Sequence, residues 1–314
     1  MRTAAFGTTG VSISRLGMGG WQAGGTGPWG AGPSADDDAA IAAIRRAVEG
    51  GVTWVDTAAS YGLGHSEEVV ARAIAPGSIG EEILVFTKCG HPWDPPDKIR
   101  TDLKADSIRR ECEGSLRRLG VERIDLYQFH HADPWTPVET SWAAMATLVS
   151  EGKVRWAGVS NFDVGLLERC ETVRHVDSVQ PELSLLHPEA LEDVIPWCGA
   201  HGTGVIGYSP LGTGALARTA DPTTHGQAEG DDALLARGLA LQDRLGEIGA
   251  RIGVSPRELA VAWALSNDDV TGVICGARTP EQVDGWIGAS DVALPPEVVS
   301  ELGAVIGSRA GEGH

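Results

Sequence analysis

The chain of 314 residues carries 43 acidic residues against 25 lysines and arginines, which gives a formal net charge of −18. A surface this acidic repels nucleic-acid phosphates and anionic lipids, so neither is expected as a partner. Because the chain has 42% hydrophobic residues, no apolar run of about 18 residues and no signal-peptide pattern, we predict a globular, cytoplasmic protein.

The predicted elements alternate along the whole chain. In chain order the predicted strands are Ile13–Gly17, Thr53–Val55, Ile83–Thr87, Ile124–Phe129, Val154–Val159, Ser178–Val179, Gly204–Gly207 and Val270–Ile274. The predicted helices are Asp36–Glu49, Ser66–Ala75, Ala105–Leu119, Val138–Glu151, Val164–Val173, Pro188–Ala200, Leu234–Ile252, one that opens with a capping box at Ser255–Glu258, Pro280–Ile287 and Pro296–Val305. A Gly-, Thr- and Asp-rich segment, about Gly212–Asp232, interrupts the pattern and is interpreted as a mobile loop.

Eight strands separated by helices indicate parallel strands with right-handed crossovers. In about 300 residues this number of units fits an α/β fold of the (β/α)8 TIM-barrel type better than an open sheet. Gly7 and Gly10 precede the first strand and predict a small N-terminal β-hairpin, and a helix ends the pattern. No linker or change of composition divides the chain, so residues 1–314 are predicted to form a single domain.

Polar residues follow the second to the eighth predicted strands, at the end of the barrel where such proteins hold their active sites. Singly, each has an ordinary explanation, since a strand-end Asp is usually a cap, a lone Tyr packs and a lone Lys is solvated. Their convergence on one face of the barrel favours a site instead. These residues are Asp56 and Tyr61, Lys88, His130 and His131, Ser160 and Asn161, Gln180, Tyr208 and Ser209, and Gly276 with Arg278.

Lys88 is the hardest of them to explain as a solvated residue, because its strand runs through the buried layer of the barrel. A buried lysine requires a counter-charge, which Asp56 on the neighbouring strand is placed to supply. We expect the ammonium group to lower the phenol pKa of Tyr61 and make it a proton donor. The alternation of strand Ile124–Phe129 predicts that His130 points into the barrel.

No metal or disulfide is predicted. His130 and His131 are adjacent, but no third ligand lies at helical or hairpin spacing from them. The cysteines are odd in number and dispersed, which is typical of reduced, buried thiols. They are Cys89, Cys112, Cys170, Cys198 and Cys275.

Over almost its whole length the sequence resembles the aldo-keto reductase superfamily, in particular bacterial aldo/keto reductases and aldose dehydrogenases. The matching segments, in the family's order, are VDTAASYGLGHSEE, VFTKCG, IDLYQFHHADPWTP, GKVRWAGVSNF, VQPELSLL, GYSPLGTGAL and VICGARTPEQV. No G-x-G-x-x-G fingerprint follows an early strand, so a Rossmann mode of cofactor binding is not expected.

The resemblance implies a role for each matching residue. Tyr61 is implied as the general acid, Lys88 and Asp56 as the pair that tunes it, and His130 as the residue that orients the carbonyl group. The implied cofactor residues are Tyr208, stacked on the nicotinamide; Ser160, Asn161 and Gln180 on its carboxamide; Ser209, Leu211 and Gly212 near the pyrophosphate; and Gly276, Arg278 and Gln282 towards the adenosine phosphate.

Two features qualify this assignment. Gly285 and Trp286 stand where the family usually has an acidic residue and Asn, so the adenine contacts must differ, with Trp286 as a candidate for stacking. Residues Thr279 to Gln282 also match an ordinary capping box, which leaves a structural role for Gln282 open.

Four tryptophans, Trp21, Trp29, Trp93 and Trp135, fall in or near predicted loops of the catalytic face. Tryptophans more often pack at the surface or in hairpins, but several in these loops suggest an aromatic wall for a substrate pocket.

The resemblance implies an NADPH-dependent reductase of aldehydes or ketones, with NADH as the other candidate cofactor and a small carbonyl compound or sugar as substrate. GLGHSEE and DPWTP also resemble members that include aldose dehydrogenases, so oxidation of a sugar or secondary alcohol with NAD(P)+ is the alternative. A second alternative is a cofactor-sensing subunit without significant turnover, like the β subunits of potassium channels. Those carry Asn where this chain has His130, and the histidine favours the enzyme.

Overall fold

The apolar runs of the sequence form parallel strands that close into a barrel. The computed structural model describes residues 1–25, 36–75, 77, 83–93, 99–216 and 232–307. Two strands form an antiparallel hairpin, β1 (Thr3–Ala5) and β2 (Ser12–Ser14). The barrel strands are β3 (Leu16–Gly19), β4 (Trp54–Asp56), β5 (Leu84–Cys89), β6 (Ile124–Phe129), β7 (Val154–Ser160), β8 (Ser178–Gln180), β9 (Gly204–Tyr208) and β10 (Gly272–Gly276).

Helices follow the strands and cover the outside of the barrel. They are α1 (Asp37–Glu49), α2 (His65–Ala73), α3 (Ala105–Leu119), α4 (Val138–Ser150), α5 (Val164–Glu171), α6 (Val194–His201), α7 (Asp232–Ile252), α8 (Pro256–Ala264), α9 (Pro280–Asp284) and α10 (Pro296–Gly307). The predicted TIM barrel, its N-terminal hairpin and its C-terminal helix are therefore confirmed. Most of the predicted loop at Gly212–Asp232 lies outside the described residues.

The first predicted strand, Ile13–Gly17, is wrong in its boundaries. Its first half belongs to the hairpin and its second half to the barrel, with Arg15 at the junction. The Arg15 N–H donates to Arg2 O on the hairpin side at 3.0 Å, while its carbonyl accepts the N–H of Val273 in β10 at 2.9 Å. Arg15 thus connects the hairpin to the barrel sheet.

Two helix predictions also need correction. The segment Pro188–Ala200 is not one helix, because Asp193 leaves helical geometry and its carboxylate caps Val194 N at 2.6 Å to start α6. Ser66 is not an N-cap, since α2 begins at His65 and the Ser66 hydroxyl lies 2.7 Å from Thr57 Oγ1 and donates to Gly20 O at 2.6 Å. The capping box at the start of α8 is confirmed, with Ser255 and Glu258 bonded reciprocally.

The core has two layers, as expected when alternate strand residues face the barrel interior and the helices. The interior is filled by Phe6, Ile13, Trp54, Phe86, Leu126, Trp156, Ile206 and Ile274. Phe6 comes from the turn of the hairpin and stacks on Phe86 with ring centres 5.7 Å apart. The hairpin therefore closes the amino-terminal end of the barrel, while the carboxyl ends of the strands remain accessible.

The cysteines are free and buried, as predicted. Among the helices that the structure describes, every one is too short or too polar to cross a bilayer.

Candidate active site

A cavity of about 530 Å³ opens at the carboxyl ends of the barrel strands. Its wall contains most of the residues predicted for the site. They are Trp21, Asp56, Tyr61, His130, Ser160, Asn161, Gln180, Tyr208, Ser209, Leu211, Gly276, Arg278 and Gln282. Lys88 lies behind this wall, 1% exposed.

Three of the predicted residues lie elsewhere in the structure. Gly212 is buried next to Leu186 and does not border the cavity, whereas Thr213 and Gly214 do. Trp93 lies under the guanidinium of Arg118, and Trp135 is 85% exposed, so neither contributes to the proposed aromatic wall. Trp29 lies outside the described residues.

Lys88 and Asp56 form a buried ion pair across the neighbouring strands β5 and β4. Lys88 Nζ lies 2.5 Å from Asp56 Oδ1 and also donates to the carbonyl of Thr57 at 3.0 Å. Burial raises the pKa of Asp56, and the adjacent ammonium opposes that rise. The pair satisfies the requirement that a buried charge be compensated and hydrogen-bonded.

Two glutamine side chains complete the hydrogen bonding of Asp56. Gln180 Nε2 donates to Asp56 Oδ2 at 2.9 Å, and Gln128 Nε2 approaches the same oxygen at 3.4 Å. The Gln180 amide nitrogen is thus directed at the carboxylate, which differs from its expected role on a carboxamide. Gln128 was not predicted, although the alternation that turns His130 inward places Gln128 on the same face.

Tyr61 lies at the cavity wall with its hydroxyl 3.5 Å from Lys88 Nζ. The expectation of a lowered phenol pKa is wrong for this structure. Burial raises the pKa of Tyr61 by more than the neighbouring Lys88 lowers it. Consequently the phenol keeps its proton at neutral pH, and Lys88 is the one cation in direct contact with it among the described residues.

Three histidines meet beside Tyr61. The His130 ring lies edge-on to the Tyr61 ring with centres 5.6 Å apart, and His130 Nδ1 lies 3.4 Å from Ser60 Oγ. His91 Nε2 and His131 Nδ1 are 2.8 Å apart. The sequence has no third ligand at helical or hairpin spacing from His130 and His131. In the structure, however, the loop after β5 brings His91 next to them.

Burial keeps these imidazoles neutral. It lowers the pKa of His91 to about 4, with repulsion from His131 as the second cause. Burial and the nearby Lys88 lower the pKa of His130 strongly and that of His131 less. His130 therefore faces the cavity as a neutral ring that can donate one hydrogen bond.

Beyond Tyr61, one side of the cavity carries a polar network from β7, β8 and β9. Ser160 Oγ donates to the Gln180 carbonyl at 2.8 Å, Asn161 Nδ2 donates to the His130 carbonyl at 3.0 Å, and Tyr208 OH donates to Asn161 Oδ1 at 2.9 Å. Asn161 and Ser209 have φ angles of 60° and 55°. Positive φ at residues with side chains stores strain of the kind found at ligand sites.

The far end of the cavity follows β10 and α9. Arg278, Gln282 and Trp286 line it together with Arg257 of α8. The predicted capping box here is wrong, because Thr279 makes no side-chain cap and Gln282 Oε1 instead accepts the backbone N–H of Arg278 at 2.7 Å. Gln282 thus borders the cavity, and its hydrogen bond also holds the loop between β10 and α9.

Arg257 was missed by the sequence reasoning, which treated its segment only as a capping box. A Cβ on Gly285 would collide with the Arg257 guanidinium, so the glycine at this departure from the family pattern admits a second arginine to the cavity. Trp286 is buried beside them with its indole Nε1 unpartnered in the structure.

Comparisons with known proteins identify the family that the chain matches. Residues 15–306 match the sequence profile of the Aldo/keto reductase family. The chain is 33% identical over 303 residues to aldo-keto reductase YhdN of Bacillus subtilis (strain 168), covering 91% of this chain and 89% of the relative.

Two solved structures share the architecture. The glycerol dehydrogenase AKR11B4 from Gluconobacter oxydans superimposes with a TM-score of 0.85 at 32% identity, over 98% of this chain and 95% of the other. The holo form of aldo-keto reductase AKR11C1 from Bacillus halodurans gives a TM-score of 0.82 at 24% identity, over 97% and 96% of the two chains, and shows likeness of fold.

Proposed function

Because the chain belongs to the aldo/keto reductase family of oxidoreductases, we propose that it reduces an aldehyde or ketone to the alcohol with NADPH, Tyr61 delivering the proton. One observation carries this proposal. The Tyr61 hydroxyl stands at the cavity wall 3.5 Å from the ammonium of Lys88, which forms an ion pair with Asp56.

In this arrangement Lys88 acts on the phenol without giving up its own proton. As the proton leaves Tyr61 for the carbonyl oxygen, the ammonium stabilises the phenolate that develops. Asp56 keeps Lys88 charged despite its burial, and burial raises the pKa of Tyr61 so that the proton is present at the start. The neutral imidazole of His130 donates a hydrogen bond that positions the carbonyl oxygen against Tyr61.

The cavity residues fit a nicotinamide dinucleotide. Bound there, the cofactor supplies the hydride. Tyr208 and the Ser160–Asn161 pair lie nearest the reacting end, where a planar ring and amide-bonding groups are needed. Arg257 and Arg278 lie at the other end, where guanidinium groups suit a 2′-phosphate, whereas Trp286 is buried in the core there and does not present its ring for stacking on the adenine.

Substrate turnover tests the proposal directly. We expect purified protein to oxidise NADPH in the presence of an aldehyde from a panel of aliphatic, aromatic and sugar aldehydes, monitored at the nicotinamide absorbance. A panel that gives no turnover with NADPH or NADH would refute the reductase assignment.

A second prediction concerns the cofactor. We expect NADPH to bind more tightly than NADH, and Arg278→Ala to reduce that preference, because a bidentate contact to the 2′-phosphate is lost. Arg257→Ala should reduce it as well. Dissociation constants from the quenching of tryptophan fluorescence measure the effect. Equal constants for the two cofactors in the wild type would contradict the assignment.

The two adjacent histidines should differ. His130→Ala is expected to lose at least about tenfold in kcat/KM, equivalent to ~1.4 kcal/mol of transition-state stabilisation, because the hydrogen bond to the carbonyl disappears. His131→Ala should lose less, since His131 lies one residue beyond the inward-facing position and contacts His91. Both variants are assayed on one carbonyl substrate at saturating NADPH. A larger loss for His131→Ala would reverse the assignment.

Oxidation is the second candidate. It is supported by the 32% identity to a glycerol dehydrogenase whose structure superimposes over most of both chains. The same groups serve both directions, with Tyr61 accepting the proton in oxidation. Comparing kcat/KM for NADPH plus an aldehyde with that for NAD+ or NADP+ plus glycerol or L-fucose distinguishes the two directions.

A further inference from the structure

His91, His130 and His131 form a three-histidine cluster, of which the proposed oxidoreductase chemistry uses only His130. Strands β5 and β6 pair in parallel with Cys89 opposite Phe129, so the residues just beyond both strands emerge side by side. One ring nitrogen of each histidine lies within 4.8 Å of those of the other two. The ring centres form an equilateral triangle, with all three separations equal to 5.1 Å.

We propose that this cluster is a binding site for a divalent transition-metal ion, with Zn²⁺ as the ion that fits it best. A tetrahedral zinc ion with Zn–N bonds of about 2.0–2.1 Å holds its nitrogens about 3.4 Å apart and the centres of three imidazole rings about 5 Å apart. The observed triangle already has that size. The ring nitrogens, which lie within 4.8 Å of one another, must adjust to this spacing, and the 2.8 Å contact between His91 Nε2 and His131 Nδ1 must open slightly to admit the ion.

The donor set determines the class of metal. Three imidazole nitrogens suit zinc, copper, nickel or cobalt, whereas magnesium and calcium prefer oxygen ligands. Neutral imidazole is the form that binds a metal. Lys88, which contacts Tyr61 beside the cluster, is paired with Asp56 at 2.5 Å, and this pairing reduces its repulsion of a metal ion.

The surrounding structure fixes the ligands in place. Glu111 Oε2 accepts the backbone N–H groups of Gly90 and His91 at 3.1 and 3.3 Å, and so holds the loop that carries His91. Gly90 allows that loop to turn with φ of 99°, and a side chain there would collide with Leu103. Ser60 Oγ lies 3.4 Å from His130 Nδ1 and so helps to fix the orientation of that ring.

The bound metal has a consequence for activity that rests on the proposed function. His130 and His131 both line the cavity, so the fourth coordination position faces the space where the substrate must lie. A metal on His130 withdraws the hydrogen bond that orients the carbonyl oxygen toward Tyr61. Zinc is therefore an inhibitor that competes with the carbonyl substrate, and chelation reverses its effect.

Titration with Co²⁺ tests the site without reference to activity. Tetrahedral Co²⁺ absorbs visible light strongly, whereas the hydrated octahedral ion does so weakly. With any affinity tag removed, the wild type should bind one Co²⁺ per chain with this absorption, and Zn²⁺ should displace it. His91→Ala and His131→Ala should each weaken binding at least about tenfold, the lower bound for disturbing even the outer groups of a metal site.

His201→Ala is the matched control, because His201 is exposed at the end of α6 and contacts Trp197 rather than the cluster. It should bind Co²⁺ like the wild type. Circular dichroism verifies that each variant is folded. Absence of the visible band in the wild type, or its full retention in both folded cluster variants, would overturn the site.

The activity measurement is separate. Zn²⁺ should raise the apparent KM for the carbonyl substrate in the wild type, with EDTA restoring it, and should have at least about tenfold less effect on His91→Ala, in line with its weaker metal binding. If Co²⁺ binds but Zn²⁺ leaves the KM unchanged, the competitive role is wrong and the site stands. If the protein reduces no carbonyl compound, the proposed function fails while the Co²⁺ result still decides the metal site.

Discussion

Replacing Tyr61 by Phe is expected to lower kcat by about 10²–10⁴-fold, the usual contribution of a general acid. The substitution removes only the hydroxyl that lies 3.5 Å from Lys88 Nζ. The ring keeps its edge-on contact with His130, so the shape of the cavity and the affinity for NADPH should change little. Because proton delivery is lost in the transition state, the effect appears in kcat more than in KM.

The control is Tyr127→Phe, which removes a hydroxyl from a tyrosine buried in the layer between the strands and the helices. It should retain kcat close to that of the wild type. Both variants are compared by steady-state turnover and by NADPH binding. If Tyr61→Phe keeps more than about a tenth of the wild-type activity, where a loss of at least ~10²-fold is expected, another group donates the proton.

The second large effect concerns folding stability. Lys88→Met is expected to lower the free energy of unfolding by roughly 3–5 kcal/mol, because it leaves the Asp56 carboxylate buried without its partner. The double variant Lys88→Met/Asp56→Asn should recover part of this loss, since no unpaired charge then remains. Denaturant-induced unfolding measures all of these values.

The loss should depend on pH with a defined sign. Burial already raises the pKa of Asp56, and removing Lys88 takes away the main opposing influence. A carboxyl group with a raised folded-state pKa binds more protons folded than unfolded, so the free energy of unfolding falls as pH rises. Lys88→Met should thus be less stable at pH 8 than at pH 5, relative to the wild type.

Lys153→Met is the matched surface control, because Lys153 pairs with Glu113 at 3.0 Å near the solvent. Exposed pairs contribute little, so its unfolding curve should resemble that of the wild type. A Lys88→Met protein as stable as this control would refute the argument that the buried pair is costly to break.

The strand ends could be predicted because the barrel repeats one unit and the polar residues follow each apolar run. The inward orientation of His130 followed from alternation, and the structure agrees, with Leu126 in the barrel interior and Tyr127 among the outer layer. The break at Arg15 could not be foreseen, since no turn residue separates the hairpin strand from the barrel strand.

The errors at the site share another physical origin. The direction in which the Tyr61 pKa shifts depends on the balance between burial and one ammonium group. The sequence shows the charge of Lys88 but not how deeply Tyr61 is buried. His91 joins His130 and His131 from a separate unit, and Arg257 likewise reaches the cavity, so no spacing along the chain relates either residue to those it contacts. Contacts between units are set by closure of the barrel.

That closure also has a consequence for the synthesis of the protein. The last strand seals the barrel against the first, with Val273 beside Leu16 and Gly276 beside Gly19. At typical elongation rates, roughly 10–50 s separate the appearance of the two partners on the ribosome. Throughout that interval β3 lacks its β10 partner and exposes an unpaired strand edge, the kind of surface that associates with other nascent chains. Chaperone protection of this one edge would therefore matter for the yield of active protein, even though the finished barrel has no open edge.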